Sequence, residues 1–190
     1  MYETELIQGL QQGEEHAYQQ LVALHKHRLY NTVLGFLQNE SDAEDVTQEV
    51  FIKVFQSIGQ FKSEASLSTW LYRIAVAHSL DFLRRKKRQK RGGLLQNLFS
   101  KREATGREPD FHHPGIGAEQ KETAAVLFKA IRQLPEQQQV AFLLQKTENL
   151  AQAEIAAVLN ITVGAVESLL QRAKTNLRKD LETYYQKHYR

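Results

Sequence analysis

Between Arg84 and Arg91, seven of eight residues are Lys or Arg, and the aromatic residues Phe61, Trp70 and Tyr72 stand upstream among Ser and Thr hydroxyls. These residue types suit capture of an unpaired nucleic-acid strand. Rings stack on bases, hydroxyls donate to base edges or phosphates, and a cationic run holds the backbone by charge. Each part also has a plainer reading, because Trp70 can be a core residue and a basic run is often only a solvated helix end.

A second group of polar residues lies in the segment DAEDVTQEVFIKVF. Asp42, Asp45, Gln48, Glu49 and Gln56 stand off its apolar stripe, and positions 45, 48 and 49 follow helical i, i+3, i+4 spacing. Acceptors gathered on one face suit a basic partner helix, or form an ordinary solvated side. The third group is a helix AQAEIAAVL, a break Asn160-Ile161-Thr162 and a long helix VGAVESLLQRAKTNLRKDL. Asn160 can end the first helix in a left-handed conformation and Thr162 can cap the second. Ala156, Ile161 and Val166 are apolar where two steeply crossing helices touch. This is helix-turn-helix spacing, which presents the first turns of the second helix to base edges in a major groove. Ala165, Ser168 and Arg172 fall near one face of that helix beside Glu167 and Gln171, while Lys174 and Arg178 can meet phosphates. An αα-hairpin used only for packing has the same spacing.

Charge is distributed unevenly. The net charge of the 190 residues is +3, yet residues 1–80 carry 5 Lys or Arg against 10 Asp or Glu, residues 81–102 carry 9 against 1, and the remainder is balanced at 11 against 11. An acidic module, a basic hinge and a neutral module point to a polyanion near the hinge rather than to one enzyme core. There is no phosphate-cradling Gly-rich loop with Lys, no HExxH and no nucleophile elbow, and the absence of Cys excludes a disulfide framework and thiolate chemistry. His25 and His27 diverge on a helix, and His112 and His113 are adjacent in a loose segment, so no metal or other cofactor is expected. A polar N-terminus without a signal peptide, and no run of about 18 apolar residues, point to a soluble protein of the cytoplasm with no membrane insertion.

The elements that must position these groups are helical throughout. Three Pro and ten Gly, among many Ala, Leu, Gln, Glu, Lys and Arg, favour helix over sheet. Apolar residues recur through Ala17, Leu21 and Leu24, then Leu29, Val33 and Phe36 or Leu37, then Ala43, Val46, Val50, Val54 and Ile58. Ser41 with Glu44 reads as a capping box that starts a helix over about 42–58, ended by Gly59. Ser66 or Ser68 starts the next, from Leu67 to about Arg88. From Gly92 to Gly117 the pattern dissolves into a Gly- and Pro-bearing linker with at most a short turn near 94–99. Ala124, Leu127, Ile131 and Leu134 restore the helical period up to Pro135, and helices follow at about 136–147, 151–159 and 163–185. The expected fold is all-α: a helical domain at 1–91, a flexible linker at 92–117 and a helix-turn-helix domain at 118–190.

In their order and separation the segments DAEDVTQEVFIKVF, STWLYRIAVAHSLDFLRRKKR and LPEQQQVAFLLQKTENLAQAEIAAVLNITVGAVESLLQRAKTNLRK strongly resemble the extracytoplasmic-function sigma factors of bacterial RNA polymerase. The resemblance covers nearly all of the chain except the linker. It implies a non-enzymatic protein that binds core RNA polymerase, at its clamp helices and flap, and directs it to promoter DNA. It implies that Asp42, Asp45, Gln48 and Glu49 face the polymerase. Phe61, Lys62, Ser68, Thr69, Trp70, Arg73, His78, Arg84, Arg85, Lys86 and Lys87 would then open and hold the minus-ten element. Ala165, Glu167, Ser168, Gln171, Arg172 and Lys174 would read the minus-thirty-five element, and the linker would thread toward the polymerase active centre. An anti-sigma protein is an implied partner. Ser68 stands where such helices often have Arg, Ala77 where they often have Asn, and Glu167 and Leu169 replace usual basic residues. Glu167 can accept from cytosine N4 or be mere helix surface. The competing reading is a polymerase-independent helix-turn-helix regulator with an N-terminal sensor or dimerisation module, which leaves the acidic helix and the Trp beside a basic run unexplained.

Overall fold

A computed structural model of the chain describes residues 3–99 and 121–188. Among these the fold is all-α: α1 Glu3–Gln12, α2 Glu15–Leu37, α3 Glu40–Ser57, α4 Leu67–Phe99, α5 Lys121–Gln133, α6 Glu136–Thr147, α7 Gln152–Leu159 and α8 Val163–His188. One 3₁₀ turn, Ile58–Gln60, follows α3.

The first four helices form one unit. The apolar pattern begins at Ala17, but α1 precedes it and buries Leu6 and Leu10 against α2 after a turn at Gly13, whose φ of +78° suits a residue without Cβ. Leu24, read as part of the buried stripe, is 58% exposed. It shares a side of α2 with Leu21 and Ala17, which α1 covers, and α1 is only about 15 Å long and ends level with it. From Leu29 onward the buried side of α2 turns toward α3 and α4, and Leu29, Val33, Phe36, Val46, Val50, Val54, Leu71 and Ala75 make the core.

Caps fix the joints. Gln38 is left-handed at φ 54° and its amide side chain donates to the carbonyls of Leu34 (3.0 Å) and Gly35 (2.7 Å), which closes α2. The next residue, Asn39, starts α3 by accepting from the Asp42 N–H at 2.9 Å. The capping box expected at Ser41 and Glu44 is therefore displaced: Asn39 caps the Asp42 N–H, the helix begins two residues earlier than the sequence suggests, and Ser41 lies inside its first turn. Ser66 does cap α4, accepting from the Thr69 N–H at 3.1 Å, while Glu3 of α1 accepts from the Leu67 N–H at 2.7 Å. α4 runs past Gly92 and Gly93, where the helix was expected to have ended, as far as Phe99. Each Gly costs a helix about 1 kcal/mol relative to Ala, too little to stop one already about seven turns long. The rest of the expected linker, with His112 and His113, lies outside the described residues.

The last four helices form the second unit, packed around Ile131, Leu134, Val140, Leu144, Ile155, Val166, Leu170 and Leu177. Its boundaries follow the sequence closely: Pro135 precedes α6, Asn160 ends α7 at φ 55°, and Thr162 caps α8 by accepting from the Ala165 N–H at 3.2 Å. The two units touch, α6 against α2 and α7 against α4.

Candidate nucleic-acid interface

The segment from Gln60 to Ser66 is held open by neighbours rather than by regular structure. Gln11 of α1 donates to the Phe61 carbonyl at 3.0 Å, and Ser63 adopts a left-handed φ of 56°. Beneath it the rings of Phe61 and Trp70 meet with centroids 5.0 Å apart and planes tilted by 41°. Phe61 is buried, so it is a wall rather than a stacking platform, whereas Trp70 is half-buried and stays accessible. Together with Lys62, Glu64 and Arg73 they line an open cavity of about 170 Å³. That is well below the roughly 300 Å³ of a typical small-molecule site, and it suits one flat ring system entering from solvent. Thr69 is buried and its hydroxyl contacts Ser66 Oγ at 2.9 Å, so it serves the helix start; Ser68 is half-buried.

α4 carries its charge on two sides. One faces α3: His78 Nδ1 and an Arg85 nitrogen each lie 3.6 Å from Glu49, and Lys86 Nζ lies 2.5 Å from Asp42. The other faces the second unit. Arg73 donates to the Ala157 carbonyl at 2.6 Å, and Arg84 donates to both Glu136 oxygens at 2.7 Å and to Asp81 at 3.1 Å. Lys87 and Arg88 are exposed. Tyr72 points to the second unit as well, its hydroxyl donating to Glu148 at 3.1 Å. It is therefore buried and unavailable for stacking, and burial beside the carboxylate holds its phenol well above its ordinary range.

On α3, Asp42 and Glu49 pair with α4, while Asp45 and Gln48 are exposed, as are Glu44 and Gln56. The sequence reading missed two neighbours: Ile52 and Phe55 are 56% and 60% exposed and continue the same side of the helix one and two turns on, Phe55 resting on the Tyr18 ring at 4.7 Å. The signal was present at i+7 and i+10 from Asp45, but apolar residues beside a buried stripe read as core.

In the second unit α7 and α8 are bent by 101°. Glu167, Ser168, Gln171, Arg172 and Lys174 are all exposed, Ala165 is half-buried, and Ser168 Oγ donates back to the Gly164 carbonyl at 3.0 Å. Val166 and Leu170 turn inward, and Asn176 donates to Gln138 at 2.9 Å, which pins α8 to α6. The expected reading face is thus free of the core. Among the described residues no three His, Cys, Asp or Glu cluster as metal ligands would, and no single helix is long and apolar enough to cross a membrane.

Comparison with known proteins accounts for both units. Residues 21–89 match the Sigma-70 region 2 family and residues 124–177 match Sigma-70, region 4. The RNA polymerase sigma-H factor of Pseudomonas aeruginosa is 29% identical over 181 residues, covering 95% of this chain and 94% of that one. The ECF RNA polymerase sigma-E factor of Escherichia coli is 29% identical over 170 residues, covering 89% and 88%. Among solved structures, CnrH in complex with the cytosolic domain of CnrY superposes with a TM-score of 0.68 at 25% identity over 94% of this chain and 96% of that one. The sigma factor RpoE of Bartonella quintana, solved with the anti-sigma factor NepR, shares the fold with a TM-score of 0.61 at 20% identity, over 87% and 96%. The two helical units, one bearing an acidic and a basic helix and the other a helix-turn-helix, define a promoter-recognition subunit of RNA polymerase. The chain belongs to the sigma-70 family as an extracytoplasmic-function sigma factor, and it directs core polymerase to promoter DNA. The regulator reading, which left the first unit as a sensor, gains no support from these matches.

Proposed function

We propose a division of labour within this sigma factor. The outer side of α3 seats on the clamp helices of core polymerase through Asp45 and Gln48, with Ile52 and Phe55 extending the contact as apolar anchors. Interfaces of this kind draw their affinity from a few desolvated apolar groups and their register from charge. Asp42 and Glu49, already paired to α4, orient the basic helix against α3 rather than meeting the polymerase directly.

The cavity beside the touching rings of Phe61 and Trp70 takes an unpaired base of the minus-ten element, with Lys62, Arg73, Arg84, Arg85 and Lys87 along the backbone. The exposed side of α8 reads the minus-thirty-five element, with Glu167, Ser168, Gln171 and Arg172 nearest the bases and Lys174 on phosphate. The region-4 unit also meets the polymerase flap. The linker passes toward the active centre, and the chain works where polymerase and chromosome are, in the cytoplasm, with no catalysis or cofactor of its own. An anti-sigma protein holds it in reserve; the solved relatives above were both captured with a bound partner chain, and RpoE's is named an anti-sigma factor.

The observation that carries this reading is the pairing of an accessible Trp over a one-ring cavity with an adjacent cationic helix. Transcription in vitro with core polymerase and a promoter library tests it. Wild type yields promoter-specific transcripts, and an Asp45→Ala, Gln48→Ala, Ile52→Ala variant, which leaves the pairs between α3 and α4 intact, loses them. Transcription unaffected by that variant would remove α3 from the polymerase contact.

A further inference from the structure

The segment that borders the base cavity owes its shape to a helix outside the residues matched to region 2. Those begin at residue 21, whereas α1 spans Glu3–Gln12. From the last turn of α1 the Gln11 amide nitrogen donates to the Phe61 carbonyl at 3.0 Å and lies 3.5 Å from the Ile58 carbonyl. From its first turn the Glu3 carboxylate accepts the Leu67 N–H at 2.7 Å, a helix-start donor that residues close in sequence ordinarily satisfy. The two bonds span 50 and 64 positions of the chain, yet they grip opposite ends of one short stretch. Among the described residues no backbone-to-backbone bond holds positions 62–65, so the ends govern the path between them. Within it Ser63 keeps a left-handed φ of 56°, which a residue with a side chain holds only where its surroundings dictate it.

α1 is itself a fixed base. A Cβ on Gly9 would stand 2.9 Å from the Ala17 Cβ and 2.8 Å from Glu14 Oε2, so the α1 backbone lies directly on α2, with Leu6 and Leu10 buried beside it. We infer that α1 is the positioning element of the minus-ten cavity: Gln11 and Glu3 hold the 61–67 stretch in the shape that admits a base before any strand arrives. The inference rests on the reading of that cavity as the seat of an unpaired base. Ordering the stretch in advance removes an entropy cost that strand binding would otherwise bear. Neither residue meets the strand; each acts through the backbone it holds.

Trp70 is the only Trp of the chain and lines the cavity, so its fluorescence reports the loop without a label. Gln11→Met keeps the side chain's length and removes the donor, and Glu3→Ala removes the acceptor. In the full-length protein both variants leave Trp70 more open to quenching by acrylamide than wild type, whereas Glu3→Gln, whose amide oxygen still accepts from Leu67, restores the wild-type value. Assembled on core polymerase, each of the first two binds a labelled single strand carrying the minus-ten element of a promoter that wild type transcribes roughly fivefold more weakly, a loss of about 1 kcal/mol, the net worth of one hydrogen bond. Their affinity for core polymerase does not change; a parallel loss there would mean general unfolding and overturn the positioning role. Wild-type strand affinity in both variants would overturn it as well, whatever the quenching does. Weakened strand binding with unaltered quenching would put Gln11 and Glu3 on the strand itself, against the inference. A Trp70→Ala variant that binds the strand as wild type does would remove the cavity from the DNA path and the role of the clamp with it, while quenching in the Gln11 and Glu3 variants still decides whether α1 holds the loop.

Discussion

Glu148, just past the end of α6, accepts from the Tyr72 hydroxyl of α4 and is the carboxylate that burial between the two units perturbs. Burial between the units raises its carboxyl above the usual range, against the opposing pull of the Tyr72 hydroxyl from α4 and of Arg28 and Thr32 from α2; Glu154 lies close enough to act on Tyr72. Its ionised form is thus disfavoured when the units are together and ordinary when they part. The penalty is in force above the raised pKa and disappears as pH falls through it, so acidification favours closure and alkalinisation favours opening. Small-angle scattering measured between about pH 5 and 8 should follow that sign, and Glu148→Gln should flatten the dependence. Local residues of this kind differ in how far sequence reveals them. Thr162 and Ser66 were readable because an N-cap accepts from an amide three residues away, and Asn160 because a left-handed Asn closes a helix. Tyr72 and Phe61 read as stacking rings in the sequence because nothing within a helical turn of either shows which partner covers it.

At the scale of elements, α3 shows how a cap is decided by competition. Asn39 and Ser41 both precede the acidic helix, and the fold selects Asn39 because the Gln38 left-handed turn delivers its side chain to the Asp42 N–H. Asn39→Ala should cost about 0.5–2 kcal/mol in urea unfolding, whereas exposed Ser41→Ala should be nearly silent. A larger loss for Ser41→Ala would restore the capping-box reading. The apolar period identified most helices of both units correctly, since each buries one stripe against its own neighbours. It failed at Leu24, where the covering helix stops short, and at Ile52 and Phe55, which lie beside a stripe without belonging to it. It also stopped α4 at its glycines, because residue preference weighs less than propagation in a helix already formed.

For the whole molecule the uneven charge acquires a spatial meaning. Two of the ten acidic residues at 1–80, Asp42 and Glu49, face Lys86 and Arg85 of α4, and Arg84 is spent on the second unit. Lys87 and Arg88 remain outward. If they are phosphate contacts, replacing both by Ala lowers the slope of log affinity against log salt for single-stranded DNA by about 1.4, near 0.7 for each, with little change in sequence preference. An unchanged slope would place them outside the DNA path.

The junction of Gln38 and Asn39 has a mechanical corollary. One residue locks the end of α2 and the very next locks the beginning of α3, leaving no spare link to absorb a tilt. The two helices are therefore joined without slack, so any tilt of α3 is handed straight to α2 at Gly35, three positions before the joint, where α2 lies against Leu143 and Thr147 of the second unit.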